Sequence, residues 1–152
     1  MRIVIQRVTE AAVKIEGRTK GQIGLGLLLL AGFCPNDTAE DLKWMAGKVA
    51  ALRIFSDAEG KMNLSIKDVN GEALVISQFT LYASTKRGNR PSYTNAAPPA
   101  VAIPLYEQFV KLLEEALEKP VQTGEFGADM KVSLLNDGPV TIVMDTEHKD
   151  LF

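Results

Sequence analysis

The chain has one thiol, Cys34, and one imidazole, His148, and that scarcity limits the chemistry it can do. A lone Cys forms no internal disulfide, and one Cys with one His cannot supply the three or four soft ligands of a zinc site. Ser-His-Asp or Cys-His hydrolysis would have to run through His148, in the polar stretch Asp145-Thr146-Glu147-His148-Lys149-Asp150. An enzyme built on this sequence is therefore expected to work without His, thiolate or a protein-held zinc. No cofactor loop replaces them. Gly21-Gln22-Ile23-Gly24-Leu25-Gly26 has the wrong spacing for a dinucleotide loop and leads into a strand, whereas a phosphate site needs a helix N-terminus. Its glycines read as a bend and a close approach at a strand entry.

Three other stretches are chemically informative. Leu74 to Leu81 begins apolar on both faces and then places Ser77, Gln78 and Thr80 within four residues. That fits a buried strand reaching a pocket wall, or polar groups that satisfy buried backbone. In a continuing strand Phe79 and Thr80 face opposite ways, so both line one pocket only if the strand ends or bulges there. Gly138-Pro139 reads either as an ordinary turn or as a rigid corner whose carbonyls project at a ligand. Lys86-Arg87-Gly88-Asn89-Arg90-Pro91, between Tyr82 and Tyr93, is either a solvated basic loop or a phosphate contact beside aromatics that stack on single-stranded RNA.

The elements that must position these groups follow from periodicity. With 152 residues, 46% apolar, the chain suffices for a single domain spanning 1–152 with its own core. Ile3, Ile5, Val13 and Ile15 alternate as in strands, and the apolar run through Leu25 to Phe33 suggests a central strand buried on both faces. Asp37 and Glu40 stand at capping-box spacing before a helix ending near Ala51. Leu52 to Phe55 is expected as a short strand and Ala73 to Leu81 as a longer one. Four prolines between Gly88 and Pro104 predict a long loop, with a helix over Leu105 to Glu118 stopped by Pro120. Val132 to Leu135 and Val140 to Met144 are predicted to be two strands of a hairpin turning at Asn136-Asp137-Gly138-Pro139. The sum is an α+β fold, β-rich, with curved or barrel-like sheets packed on two main helices.

Charge narrows the partners. The net charge is −2, yet no acid stands between Glu72 and Glu107, where Lys86, Arg87 and Arg90 lie. A local basic surface is possible on such a chain, whereas a general nucleic-acid coat, and with it DNA as a partner, is not expected. The longest apolar run is interrupted by glycines and falls short of the roughly 20 residues of a membrane span. The first residues form no apolar signal core, so the expected location is the cytoplasm.

Taken together, Met1-Arg2-Ile3-Val4-Ile5-Gln6-Arg7-Val8, Ser77-Gln78-Phe79-Thr80-Leu81, Lys86-Arg87-Gly88-Asn89-Arg90-Pro91-Ser92 and Asn136-Asp137-Gly138-Pro139-Val140-Thr141 resemble the D-aminoacyl-tRNA deacylases. The resemblance implies a homodimer with active sites at the interface, which hydrolyses the ester joining a D-amino acid to the terminal adenosine of tRNA. Glycyl-tRNA, as when glycine is mischarged on alanine tRNA, is implied as a second substrate. Catalytic contacts are implied for Ser77, Gln78, Phe79 and Thr80. Chiral selectivity is implied for a cis Gly138-Pro139 corner held by Arg7, and tRNA contact for Lys86, Arg87 and Arg90. No cofactor or metal is implied. A non-catalytic RNA-binding protein is the alternative.

Overall fold

The computed structural model describes residues 1–151. In chain order the elements are β1 (Arg2–Ile15), β2 (Arg18–Ile23), β3 (Gly26–Gly32), α1 (Ala39–Ala51), β4 (Phe55–Ser56), β5 (Met62–Leu64), β6 (Glu72–Ser77), a 3₁₀ turn (Phe79–Tyr82), α2 (Pro99–Leu117), β7 (Gln122–Thr123) and β8 (Lys131–Asp145). The main sheet runs β2-β1-β3-β6-β7, with β8 also paired to β1. β3 and β6 are parallel, as are β6 and β7. Each parallel step needs a crossover, and α1 and α2 lie in the two connections. The sheet curls until β2 approaches β7. A Cβ on Gly21 would stand 2.9 Å from the Thr123 carbonyl oxygen, and the result is a nearly closed, barrel-like α+β fold.

β3 is the central strand its composition predicts. Leu27, Leu29 and Ala31 enter the larger core with α1 and α2, while Leu28 enters a smaller cluster on the other face. β1 also feeds both cores. Ile3 and Ile5 belong to the larger one and Val8, by ordinary alternation, to the smaller, and Ala11 and Val13 join Val8 because the irregularity between Val8 and Glu10 changes which face the odd positions meet.

Several boundaries differ from expectation. β8 is one strand and not a hairpin. Lys131 to Leu135 pair with the second half of β1 and Thr141 to Asp145 with its first half, both antiparallel. Asp137 to Val140 bulge out opposite Arg7. Turn-forming residues were there, but a partner 14 residues long lets the chain resume its direction after them. α1 is capped by Thr38 with Asp41, not by Asp37 with Glu40. Asp37 instead receives the Met1 amino group and the Cys34 N–H. The short strand after α1 begins only at Phe55, so Leu52 to Ile54 lie outside it. α2 begins at Pro99, with Pro98 extended before it, because proline is well suited to a first helical turn. Pro104 is inside the helix.

The buried stripe of α2, Tyr106, Phe109, Leu113 and Leu117, docks on the larger core, and the Tyr106 hydroxyl donates to the Val75 carbonyl of β6 at 3.0 Å. Burial pushes this phenol up to about 12. An unfolded tyrosine ionises near pH ~10, so the native protein keeps a proton that the unfolded chain has lost. This contribution to stability is complete below the unfolded value and vanishes as pH rises through about 12. Tyr106→Phe is expected to cost about 1–2 kcal/mol at neutral pH. It should also flatten the alkaline fall in stability, as measured by denaturant unfolding across that window.

Candidate active site

β6 stops where the polar cluster begins. Gln78 still donates its N–H to the Ala31 carbonyl at 2.7 Å, but the chain then turns into the 3₁₀ segment, with Leu81 N–H to Gln78 oxygen at 3.2 Å and Ala83 N–H to Thr80 oxygen at 3.1 Å. Gly32 lets the turn lie this close. A Cβ there would meet the Gln78 oxygen at 2.9 Å and the Leu81 Cβ at 3.2 Å. The strand ends before Phe79 and Thr80, and of the two only Phe79 lines the cavity beside it. The Gln78 amide nitrogen donates to the Thr80 hydroxyl at 2.6 Å. Phe79 is 53% exposed. The N–H groups of Phe79 and Thr80 open the turn and have no earlier carbonyl within it to bond.

The basic loop is attached to this turn. Ser84 and Ser92 exchange backbone hydrogen bonds at 2.7 and 3.0 Å, which closes the segment carrying Lys86, Arg87 and Arg90. The bridge brings Tyr93 back against Phe79, edge to face, with ring centroids 5.1 Å apart. Lys86, Arg87 and Arg90 are exposed, and none is in an ion pair among the described residues.

Beneath the aromatic pair lies a cavity of about 720 Å³, walled by Ser77, Gln78, Phe79, Tyr93, Pro98 and Phe126. Its size suits a small ligand. Among its lining residues the only ionisable side chain is that of Tyr93. A reaction here has backbone N–H groups, hydroxyls and an amide to work with, and no carboxylate or imidazole to act as base. Thr80 does not line the cavity, its hydroxyl being engaged by Gln78. The segment Phe126-Gly127-Ala128, which the sequence reading passed over, does line it. The two glycines beside Phe126 were the one available signal there.

The Gly138-Pro139 peptide is cis and lies outside this cavity, at the exposed tip of the β8 bulge. Arg7, 9% exposed, spans from the Ile54 carbonyl, 2.6 Å from Nη1, to the Asp137 carbonyl, 2.9 Å from Nε, with the Asp137 carboxylate at 3.3 Å. Asn136 closes the base of the bulge. Its amide donates to the Arg7 and Val140 carbonyls at 3.1 and 3.0 Å, and its oxygen accepts the Val140 N–H at 3.2 Å. A Cβ on Gly138 would stand 2.5 Å from the Val140 nitrogen. Leu135, just before the bulge, is 57% exposed.

Cys34 and His148 are absent from the cavity. Burial holds the Cys34 thiol above its ordinary pKa, and it lies 3.4 Å from the Asp37 carboxylate, so it stays protonated and unreactive.

A sequence model for the family described as D-Tyr-tRNA(Tyr) deacylase matches residues 4–145. A D-aminoacyl-tRNA deacylase of Akkermansia muciniphila is 61% identical over 150 residues, covering 99% of this chain and 100% of the relative. One of Bacteroides thetaiotaomicron is 59% identical with the same coverage. Among solved structures, one described as c-Myc DNA Unwinding Element Binding Protein is 38% identical, with a TM-score of 0.89, covering 95% of this chain and 98% of that one.

The bonds at the base of the bulge lead to a direct test. Asn136→Ala strips three hydrogen bonds from partly buried backbone and is expected to lower stability by about 2–3 kcal/mol in urea unfolding. Asn136→Asp keeps the acceptor for Val140 N–H but sets a carboxylate oxygen against the Arg7 and Val140 carbonyls, so it should cost at least as much.

Proposed function

The chain belongs to the D-Tyr-tRNA(Tyr) deacylase family, and on that footing we propose that the cavity under Phe79 and Tyr93 binds the aminoacylated end of tRNA and cleaves its ester. The enzyme is a D-aminoacyl-tRNA deacylase, a hydrolase of carboxylic esters. One observation carries the mechanistic reading: the cavity wall has backbone donors at the start of the 3₁₀ turn and no ionisable group suited to be a general base. An aminoacyl ester is activated, so its hydrolysis asks less of a catalyst than that of an amide. Water adds to the carbonyl carbon, the N–H of Phe79 stabilises the oxyanion, and the C–O bond to the ribose breaks, releasing free amino acid and tRNA. The neighbouring ribose 2′-OH of the substrate takes the part of the missing base. Ser77 and Thr80 act as hydrogen-bonding groups of the wall, Thr80 through Gln78. A Thr hydroxyl without an adjacent base is a poor nucleophile.

Selectivity in this reading is steric. The Gly138-Pro139 corner, held by Arg7, reaches the cavity of a second copy in a homodimer and leaves no room for an L side chain. Its position outside its own chain's cavity and the exposed Leu135 beside it support that arrangement. Glycine has no side chain to exclude, so glycyl-tRNA mischarged on alanine tRNA is also hydrolysed, in the cytoplasm where tRNA is charged. Lys86, Arg87 and Arg90 contact the phosphates.

Three outcomes test this reading. Thr80→Ala should keep most hydrolysis of D-tyrosyl-tRNA, and complete loss with intact tRNA binding would return the nucleophile to Thr80. Gly138→Ala, whose Cβ collides with Val140, should lower the ratio of D- to L-tyrosyl-tRNA hydrolysis or abolish both. An unchanged ratio removes the corner from selectivity. Wild-type enzyme should turn over D-tyrosyl-tRNA faster than a simple D-tyrosine ester, whereas RNA binding with no amino acid released would mark a binding protein.

A further inference from the structure

A second cavity, of about 550 Å³, lies on the other side of the 3₁₀ turn, lined by Arg2, Tyr82, Ser84, Asn95, Glu147 and His148 among others. It adjoins the first, since Thr94 lines both. Ser84 also belongs to the bridge from which the basic loop springs. The basic loop with Lys86, Arg87 and Arg90 is therefore rooted at the rim of the second cavity.

The lining suggests what kind of group the second cavity would hold. Tyr82 is 4% exposed and contributes its ring to the wall, while its hydroxyl is buried beside Cys34 and Asp37, away from any ligand. The Arg2 guanidinium lies over the Tyr82 ring, 5.0 Å from its centroid, with Nε on Asp145 at 2.8 Å and Nη1 on the Leu81 carbonyl at 2.8 Å. Nη2 has no acceptor among the described residues. Donors of Arg2, Asn95 and His148 stand beside acceptors of Asn95, Ser84 and Glu147. A wall of both signs, with Glu147 in it, disfavours a bare phosphate. It suits a neutral group whose edge both donates and accepts.

We propose that this cavity is a nucleobase site for an unpaired nucleotide just before the terminal adenosine of the substrate tRNA. The inference rests on the reading of the first cavity as the aminoacyl-ester site. The terminal nucleoside occupies that cavity, the preceding base enters the second, and the phosphodiester between them runs past the basic loop. Single-stranded RNA ends are read in this way, by base edges in polar recesses and by cations along the backbone.

The test compares D-tyrosyl-tRNA with 3′-O-D-tyrosyl-adenosine, which has no preceding nucleotide. Asn95 and His148 are exposed, so the double variant Asn95→Ala with His148→Ala should fold. Loss of two hydrogen bonds to a base predicts a fall of roughly tenfold in kcat/KM on D-tyrosyl-tRNA, carried by KM, with no change on the adenosine ester. D-tyrosyl-tRNA made abasic at the preceding nucleotides should lose a similar factor with wild-type enzyme and nothing further with the variant. Equal losses on both substrates, no loss on tRNA, or abasic substrate turned over as well as intact tRNA would each overturn the base site while leaving ester hydrolysis in place. Wild-type enzyme that hydrolyses neither substrate would overturn the active-site reading and the base site with it.

Discussion

β1 hydrogen bonds to three other strands, and the placement of every candidate functional group depends on how it does so. Its first half holds β3 on one edge and the end of β8 on the other, and its second half holds β2 and the start of β8. A strand has two edges, so one 14-residue strand serves three partners only by being shared along its length. A first irregularity opposite Arg7 expels Asp137 to Val140 from the ladder, and a second, between Val8 and Glu10, moves the odd positions of β1 from the larger core to the smaller. Corner and double core thus come from two adjacent irregularities of one strand. Arg7 lies at the first of them with its charge nearly buried, and the Ile54 and Asp137 carbonyls supply the acceptors that a buried guanidinium requires.

β3 carries this constraint to the cavity. It is hydrogen bonded to β1 along one edge and to β6 along the other, so the end of β6 is set by the same ladder. Where β3 ends, Gly32 lets the 3₁₀ turn settle on the backbone, which presents Phe79 outward and frees the first N–H groups of the turn. The cavity is then built from backbone and uncharged side chains. That is a coherent way to treat an activated ester, because preorganised dipoles need no titration and cost little to hold in place.

Much of this was legible in the residues. The double-faced apolar run of β3 points to a central strand, and the cluster Ser77, Gln78 and Thr80 is compatible with a strand that ends, a bulge or polar groups that satisfy buried backbone, of which the structure shows the strand end. The glycines at the entry to β3 were read as a close approach, and a Cβ on Gly26 would indeed stand 1.8 Å from the Glu72 oxygen. The start of α2 at Pro99 was missed because prolines were counted as breakers, although at a first turn they are compatible with a helix. Asp37 was assigned to a helix cap because local spacing cannot reveal that the Met1 amino group, far away in sequence, competes for it.

By itself the sequence determined the chemistry available: one Cys, one His, a polar cluster at a strand end, a Gly-Pro pair and an isolated basic loop. Residue types suffice for that, because pKa ranges, donor counts and backbone freedom travel with the residue. Tertiary structure decided what those groups do together. Asn136-Asp137-Gly138-Pro139 has the composition of a hairpin turn, and only the length of β1 on the opposite side makes it a bulge. Phe126 enters the cavity and Tyr82 is buried beside Cys34 and Asp37 for the same reason: which surfaces meet depends on the closure of the sheet, and no short window of sequence contains that.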